Sequence, residues 1–320
     1  MTGIAENVFR LLVFPGLVFT LVIGMFGCWV LRKVSALIQW RVGPPWYQPW
    51  VDVLKLAGKE LLIPEQANAV VFLAAPVVGL AAAVLVSTVL WNALLGRHAY
   101  VGDLIVVLYL SVIPSLALIM GSSASASPHA AIGASREMKL ILSYELPMAA
   151  AMVVALIKAA ASGSPSGQVL DLSSLSAAKV IWSISGFMAF LVSLLCIHAK
   201  LGLVPFDIAE SETELAGGIL IEYSGILMGI WRLVQAVLLV ALPLLLIAVF
   251  LGGFGTGRWA ILAGFGKLVL LWVLLILIKN TNPRVRIDQA MRFFWFVCTP
   301  ALVIAVILAI LGRFYGIGWL

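Results

Sequence analysis

The chain has 320 residues, of which 63% are hydrophobic and 11% charged, with a formal net charge of +6. One water-soluble core cannot absorb that much apolar surface, so the composition excludes a soluble globular enzyme and places the chain in a bilayer. The positive charge forms no basic, aromatic-interleaved soluble surface, which excludes nucleic acid as a partner.

Apolar runs long enough to cross roughly 30 Å of hydrocarbon recur along the chain and predict about eight spans. They cover 11–30, 69–94, 104–120, 146–161, 180–199, 226–251, 259–278 and 296–311. A segment crossing lipid must satisfy its own backbone, and these runs are too long and evenly apolar for barrel strands. The fold class expected is an all-α integral membrane protein, one polytopic domain over 1–320, with amphipathic and loop segments on one face. The first run lacks a basic start and is not read as a cleaved signal peptide.

After the first span comes RVGPPWYQPWVDVLKLAGKELLIPE, residues 41–65. Pro44, Pro45 and Pro49 interrupt any helix there. Residues 51–62 then read as an amphipathic helix, with Trp50, Val53, Leu54 and Ala57 on one side and Asp52, Lys55, Lys59 and Glu60 on the other. Such a helix either lies on the membrane surface or roofs an inward-facing cavity. Further on, GASREMKLILSYELP at 133–147 puts Glu145 at the mouth of the 146–161 span, and an ionisable residue entering a bundle is a functional candidate.

The densest group of acids lies in LGLVPFDIAESETELAGGILIEYSG, residues 201–225. Pro205 suits a helical first turn. At 100° per residue Asp207, Glu210, Glu214 and Glu222 then share one helix face while Glu212 points away. With Lys200 as the one nearby cation and apolar residues interleaved, some of these carboxyls are expected to exchange protons near neutrality. Arg232 and Lys267 fall inside spans, where either an ion route or snorkelling to the interface accounts for them. Cys28, Cys196 and Cys298 lie far apart, and His98, His129 and His198 are scattered singly, so no redox cofactor or metal is expected on this chain.

Lysines and arginines concentrate in alternate loops. Arg32, Lys33, Arg41, Lys55, Lys59, Arg136, Lys139, Lys200, Lys279, Arg284, Arg286 and Arg292 mark one side, and Arg10, Arg97, Lys158, Lys179, Arg258 and Arg313 the other. The positive-inside rule makes the first side cytoplasmic and puts both termini outside. The long segments 32–68, 121–143 and 200–224 all lie on that inner face, where function is expected.

Four stretches, RVGPPWYQPWVDVLKLAGKE, AIGASREMKLILSYELP, VPFDIAESETELAGGILIEYSG and NPRVRIDQAMRFFW, follow one another along the inner face. In that order the chain resembles the subunit of respiratory complex I that links the electron-transfer arm to the membrane arm, and its counterpart in membrane-bound NiFe-hydrogenases. The resemblance implies an eight-helix, non-redox subunit of an ion-translocating oxidoreductase in a prokaryotic cytoplasmic membrane. It implies ion-coupling roles for Glu145, Asp207, Glu210, Glu212, Glu214 and Glu222, with Arg136 as supporting charge; Lys267 and Arg232 match no motif of the family and are counted as supporting charge from their place inside spans alone. The segment with Arg41, Pro44, Pro45, Trp50, Asp52 and Lys55 becomes a docking loop. Partners implied are hydrophilic NiFe-hydrogenase-like large and small subunits, an iron-sulfur subunit, antiporter-like membrane subunits and membrane lipid, with iron-sulfur clusters and a NiFe centre in those partners and none here.

Departures favour the hydrogenase branch. Where quinone-reducing complex I has Glu-Thr-Asn-Arg ahead of Pro-Phe-Asp, this chain has Lys200, Leu201, Gly202 and Leu203, and Leu31 replaces the Glu before Arg32 and Lys33. Two alternatives stay open: a quinone-site subunit of complex I or a relative, and a stand-alone secondary transporter, which would carry internal repeats and paired broken helices.

Overall fold

The structure is a computed structural model and describes residues 2–95, 104–161, 170–176, 179–255 and 257–319. The expected outward loop at 96–102 lies outside the described residues. Among those described, every regular element is helical. The order is α1 (Thr2–Leu12), α2 (Leu17–Ile38), α3 (Gln48–Ala57), α4 (Ala69–Leu94), α5 (Leu104–Ala124), α6 (Pro128–Ala161) and α7 (Leu172–Leu175). Then come α8 (Ile184–Lys200), α9 (Glu212–Leu215), α10 (Gly225–Val249), α11 (Arg258–Thr281), α12 (Ile287–Phe293), a π turn at Phe294–Cys298, and α13 (Thr299–Phe314). Seven helices are long and apolar enough to cross a membrane, and α8, with 17 residues, is a shorter apolar eighth.

The largest departure from the sequence reading is α6. Residues 128–145 were expected as inner loop followed by a span from 146, yet one helix of 34 residues runs through both. Its buried positions Ala130, Ala134, Glu137, Ile141, Tyr144 and Met148 recur at alternating spacings of three and four, the stripe by which a helix packs on neighbours. Arg136 and Lys139 made this half look like a loop. Pro147 sits inside the helix without ending it, as do Pro76 in α4, Pro114 in α5 and Pro243 in α10. Neighbouring helices can satisfy the backbone groups that such prolines release.

Helix α10 is the centre of the bundle and is buried without interruption from Ala236 to Phe250. It packs against α2, α3, α4, α8 and α11. Lipid tails are as apolar as leucine, so close fit rather than hydrophobic transfer holds such helices together. Small residues permit the fit: a Cβ on Gly24 of α2 would strike the Ala236 carbonyl, and one on Gly121 of α5 would strike the Tyr223 hydroxyl.

The 201–224 segment is not the expected helix. After α8 the chain turns through Gly202 (φ 61°), runs irregularly past Pro205, forms the single turn α9, and reverses at Gly217 (φ 106°) and Gly218 (φ 50°). A Cβ on Gly218 would also meet the Ala209 carbonyl, so this close return needs glycine on two counts. The shared helical face predicted for Asp207, Glu210, Glu214 and Glu222 therefore does not exist. Leu201, Phe206, Ile208 and Ala209 pack inward instead of following a helical period, and tertiary contacts override the local pattern.

Candidate functional site

Contacts from distant parts of the chain hold this irregular segment in place. His198 Nε2–H donates to the Val204 carbonyl at 2.6 Å, and the Val285 amide donates to the Pro205 carbonyl at 3.1 Å. Ser122 Oγ of α5 donates to the Ile219 carbonyl at 2.5 Å. The acids have basic partners that sequence proximity did not reveal. Arg284 Nη2 donates to Asp207 Oδ2 at 2.6 Å, and its Nη1 donates to Ser211 Oγ at 2.9 Å. Arg136 Nη1 donates to Glu214 Oε2 at 2.6 Å. Lys200 was expected to be the one cation near these acids, and it serves a different one.

A cleft of about 680 Å³ opens among α2, α3, α10, the 201–210 segment and Arg284. Helix α3 covers it, as the roof reading expected, although it is shorter than predicted, at Gln48–Ala57. Its faces also differ. Asp52, Val53 and Leu56 line the cleft, whereas Leu54, assigned to the packed side, is 71% exposed. Arg32 of α2 donates to Asp52 at 2.6 Å, tying wall to roof, and Gln48 within α3 donates to the same carboxylate at 3.0 Å. Burial works to raise the Asp52 carboxyl, but the Arg32 and Gln48 bonds outweigh it and hold the group below its ordinary value.

The rest of the expected docking loop is pinned to α2. Trp29 Nε1 donates to the Pro44 carbonyl at 3.2 Å, and Lys33 Nζ donates to the Val42 carbonyl at 2.5 Å. Arg41, Pro45 and Trp50 are exposed, Lys55 lines the cleft rim, and Trp40 and Val42 are almost wholly uncovered.

The inner end of the cleft carries Asp207, Glu210, Arg232 and Gln235. Arg232 Nη1 donates to Gln235 Oε1 at 3.0 Å, and Gln235 Nε2 donates to Glu210 Oε1 at 3.1 Å, which links the expected supporting cation to the acid. Asp207, Glu210 and Gln235 also line a second, smaller cavity of about 60 Å³, whose far side holds Glu137 and Lys200. Beyond it, Lys200 Nζ donates to Glu145 Oε1 at 2.7 Å and to Ser111 Oγ at 2.9 Å. The Lys200 side chain is 2% exposed and that of Glu145 26% exposed. Glu145 thus stands midway along α6 and not at the mouth of a span.

The structure brings together Asp207, Glu210, Arg232 and, through Lys200, Glu145. Glu214 lies to one side, exposed, in a separate cavity of about 180 Å³ with Arg136, Arg284 and Arg286. The Arg136 bond holds its carboxyl below the ordinary value. Glu222 lines neither cavity of the row, and the expectation for the Glu212 side chain lies outside the described atoms. Lys267 is at the other end of the bundle, where its Nζ donates to the Leu251 and Gly253 carbonyls at 2.8 and 2.7 Å.

Two residues of the row were missed as site residues: Glu137, buried in α6, and Lys200 as the partner of Glu145. The signal for Glu137 was present, since it occupies a position of the buried stripe of α6 where an apolar residue would be expected.

Over residues 11–310 the sequence matches the family described as NADH dehydrogenase. The chain is 33% identical over 321 residues to the H subunit of the NADH-quinone oxidoreductase of Thermomicrobium roseum, covering 91% of each. It is 30% identical over 302 residues to the protein of the same name from Geobacillus kaustophilus, covering 88% of this chain and 87% of that one. Among solved structures, a chain of the membrane-bound sulfane sulfur reductase, an archaeal respiratory membrane complex, superposes with a TM-score of 0.81 at 26% identity, covering 94% of this chain and 99% of that one. A match over nearly the whole length identifies the chain as a member of the NADH dehydrogenase family to which these H subunits belong.

Proposed function

We propose that the chain is the non-redox membrane subunit of a NiFe-hydrogenase-type respiratory complex, where it docks the hydrophilic electron-transfer module and couples redox chemistry to proton or sodium movement. One observation carries the reading: Asp207 and Glu210 line both the cleft under α3 and the smaller cavity that also holds Glu137 and Lys200, and Lys200 is paired with Glu145 inside the bundle. Ionisable groups at that depth are costly and usually mark an ion path.

The exposed surface of Arg41, Trp40, Val42 and Pro45 beside the cleft mouth fits the docking face, with hydrophilic hydrogenase-like subunits and an iron-sulfur subunit seated there. The partial exposure of Glu145 on the flank of α6 fits a lateral hand-over to antiporter-like membrane subunits. With the positively charged loops inward, cleft and docking face are cytoplasmic and both termini lie outside.

A second reading has its own support. The cleft has the volume of a small-molecule site, and the curated relatives are named for quinone, so a quinone headgroup between α3 and Asp207 is the alternative.

The test is the whole complex in sealed vesicles. Glu137→Gln and Glu145→Gln should keep electron transfer while the ion gradient disappears. Undiminished gradients from both variants would overturn the coupling role, and quinone retained in stoichiometric amount by the purified complex would favour the second reading.

A further inference from the structure

At the end of the bundle away from the cleft lies a fourth cavity, of about 670 Å³, that the coupling role does not use. Three elements meet there. The last turn of α6 contributes Lys158, the segment before α8 contributes Lys179 and Trp182, and the end of α13 contributes Arg313 and, after it, Trp319.

The rim is built rather than loose. The chain turns at Gly316 (φ 68°), the Ile317 amide bonds the Gly312 carbonyl at 2.9 Å, and the Trp319 carbonyl accepts from the Ile184 amide at 3.0 Å. Trp319 is thereby fixed against the start of α8.

Charge in the cavity has one sign. Among the described residues, Lys158, Lys179 and Arg313 line it, no carboxylate does, and none of the three forms an ion pair. The 162–169 segment that follows α6 contains no acid either. Lys158 and Arg313 each complement the negative end of a helix, but that role does not require them to converge with Lys179 on one cavity.

The level is that of a membrane–water boundary, where tryptophan concentrates, and Trp182 is 81% exposed. Exposed apolar stripes leave the rim toward the membrane centre: Ile184, Phe187 and Leu191 on α8, and Phe314, Ile310 and Ile307 on α13. Both follow the helical spacing of three and four.

We propose that this cavity binds the headgroup of an anionic phospholipid, with its acyl chains against α8 and α13. A phosphodiester supplies the missing negative charge, basic pockets between helices are a known form of lipid recognition, and the stripes supply a surface for acyl chains. A phosphate without chains meets the first requirement but not the second.

The test uses the intact complex, delipidated in detergent and titrated with dioleoyl phosphatidylglycerol, dioleoyl phosphatidylcholine or inorganic phosphate, with melting temperature as the readout. Phosphatidylglycerol should raise it saturably, and the other two should not. Lys158→Gln, Lys179→Gln and Arg313→Gln combined should weaken that effect on the order of a hundredfold, whereas Lys158→Arg, Lys179→Arg and Arg313→Lys combined should preserve it. A benzophenone side chain in place of Trp182 should attach to lipid. Equal stabilisation by phosphatidylcholine or phosphate, an unchanged phosphatidylglycerol effect in the glutamine variant, or attachment of Trp182's replacement to a protein subunit would each overturn the proposal.

Discussion

Replacing Lys200 by Met is expected to destabilise the assembled protein by about 3 kcal/mol. Lys200 is 2% exposed at its side chain and holds Glu145 at 2.7 Å, with Ser111 as its second acceptor. Removing one member of a buried ion pair costs roughly 3 to 5 kcal/mol, because the other charge is left without compensation. Glu145 retains 26% exposure, which places Lys200→Met near the lower end. Glu145→Gln leaves the more deeply buried ammonium without a counter-charge, among neutral acceptors and the Tyr144 ring, and should cost at least as much. The double variant removes both charges and should recover roughly 2 kcal/mol relative to the sum of the single losses. The assay is denaturant titration of the four forms in bicelles, followed by tryptophan fluorescence. Losses that simply add would refute the pair as a coupled unit. Ion pumping in vesicles separates stability from function, since the double variant should be less destabilised than the two single losses together and still fail to build a gradient.

Other outcomes follow from the same geometry. Glu214→Gln should disturb pumping less than Glu137→Gln, because Glu214 is exposed and beside the row while Glu137 is buried within it; the gradient formed per electron transferred decides this. Asp52 is held below its ordinary value, so its pairing contributes stability above about pH 3.9, the unfolded value, and loses it as pH falls through the lower folded value. Acidification from pH 5 to pH 3 should loosen α3 by less than about 1 kcal/mol, seen as a step in Trp50 fluorescence that Arg32→Gln abolishes. Gly121→Ala drives a methyl into the Tyr223 hydroxyl and should cost about 1 to 3 kcal/mol, measured by the same titration. Lys267→Met leaves the Leu251 and Gly253 carbonyls without their ammonium and should lower stability by about 1 to 3 kcal/mol while pumping continues; turnover without a gradient would place Lys267 on the path instead.

The membrane-crossing character of the fold was legible because twenty apolar residues in a row have few other uses. Boundaries were less so, and the instructive case is α6. Charge at Arg136 and Lys139 outweighed the spacing of Ala130, Ala134, Ile141 and Tyr144, so half a helix read as loop and Glu137 was not singled out. In the 201–224 segment the error ran the other way. A run without strong breakers before Gly217 was read as helix, but its residues are claimed by His198, Arg284, Val285 and Ser122 from elsewhere in the chain. The residue types at the site were visible in sequence; their pairing was not, since Asp207 with Arg284, Glu214 with Arg136, and Glu145 with Lys200 all join positions more than fifty residues apart.

That long-range pairing bears on how the protein is made. When Asp207 and Glu210 are added to the growing chain, α10 and α11 have not yet been synthesised, and Arg284, which anchors Asp207, comes 77 residues later. Until α11 has crossed the membrane and delivered Arg284 to the same side, the segment lacks that clamp and the Pro205 carbonyl lacks the Val285 amide. Closure of the acidic segment therefore depends on how the last helices insert: a chain in which they enter in the wrong orientation leaves Asp207 without its arginine and the Pro205 carbonyl without the Val285 amide.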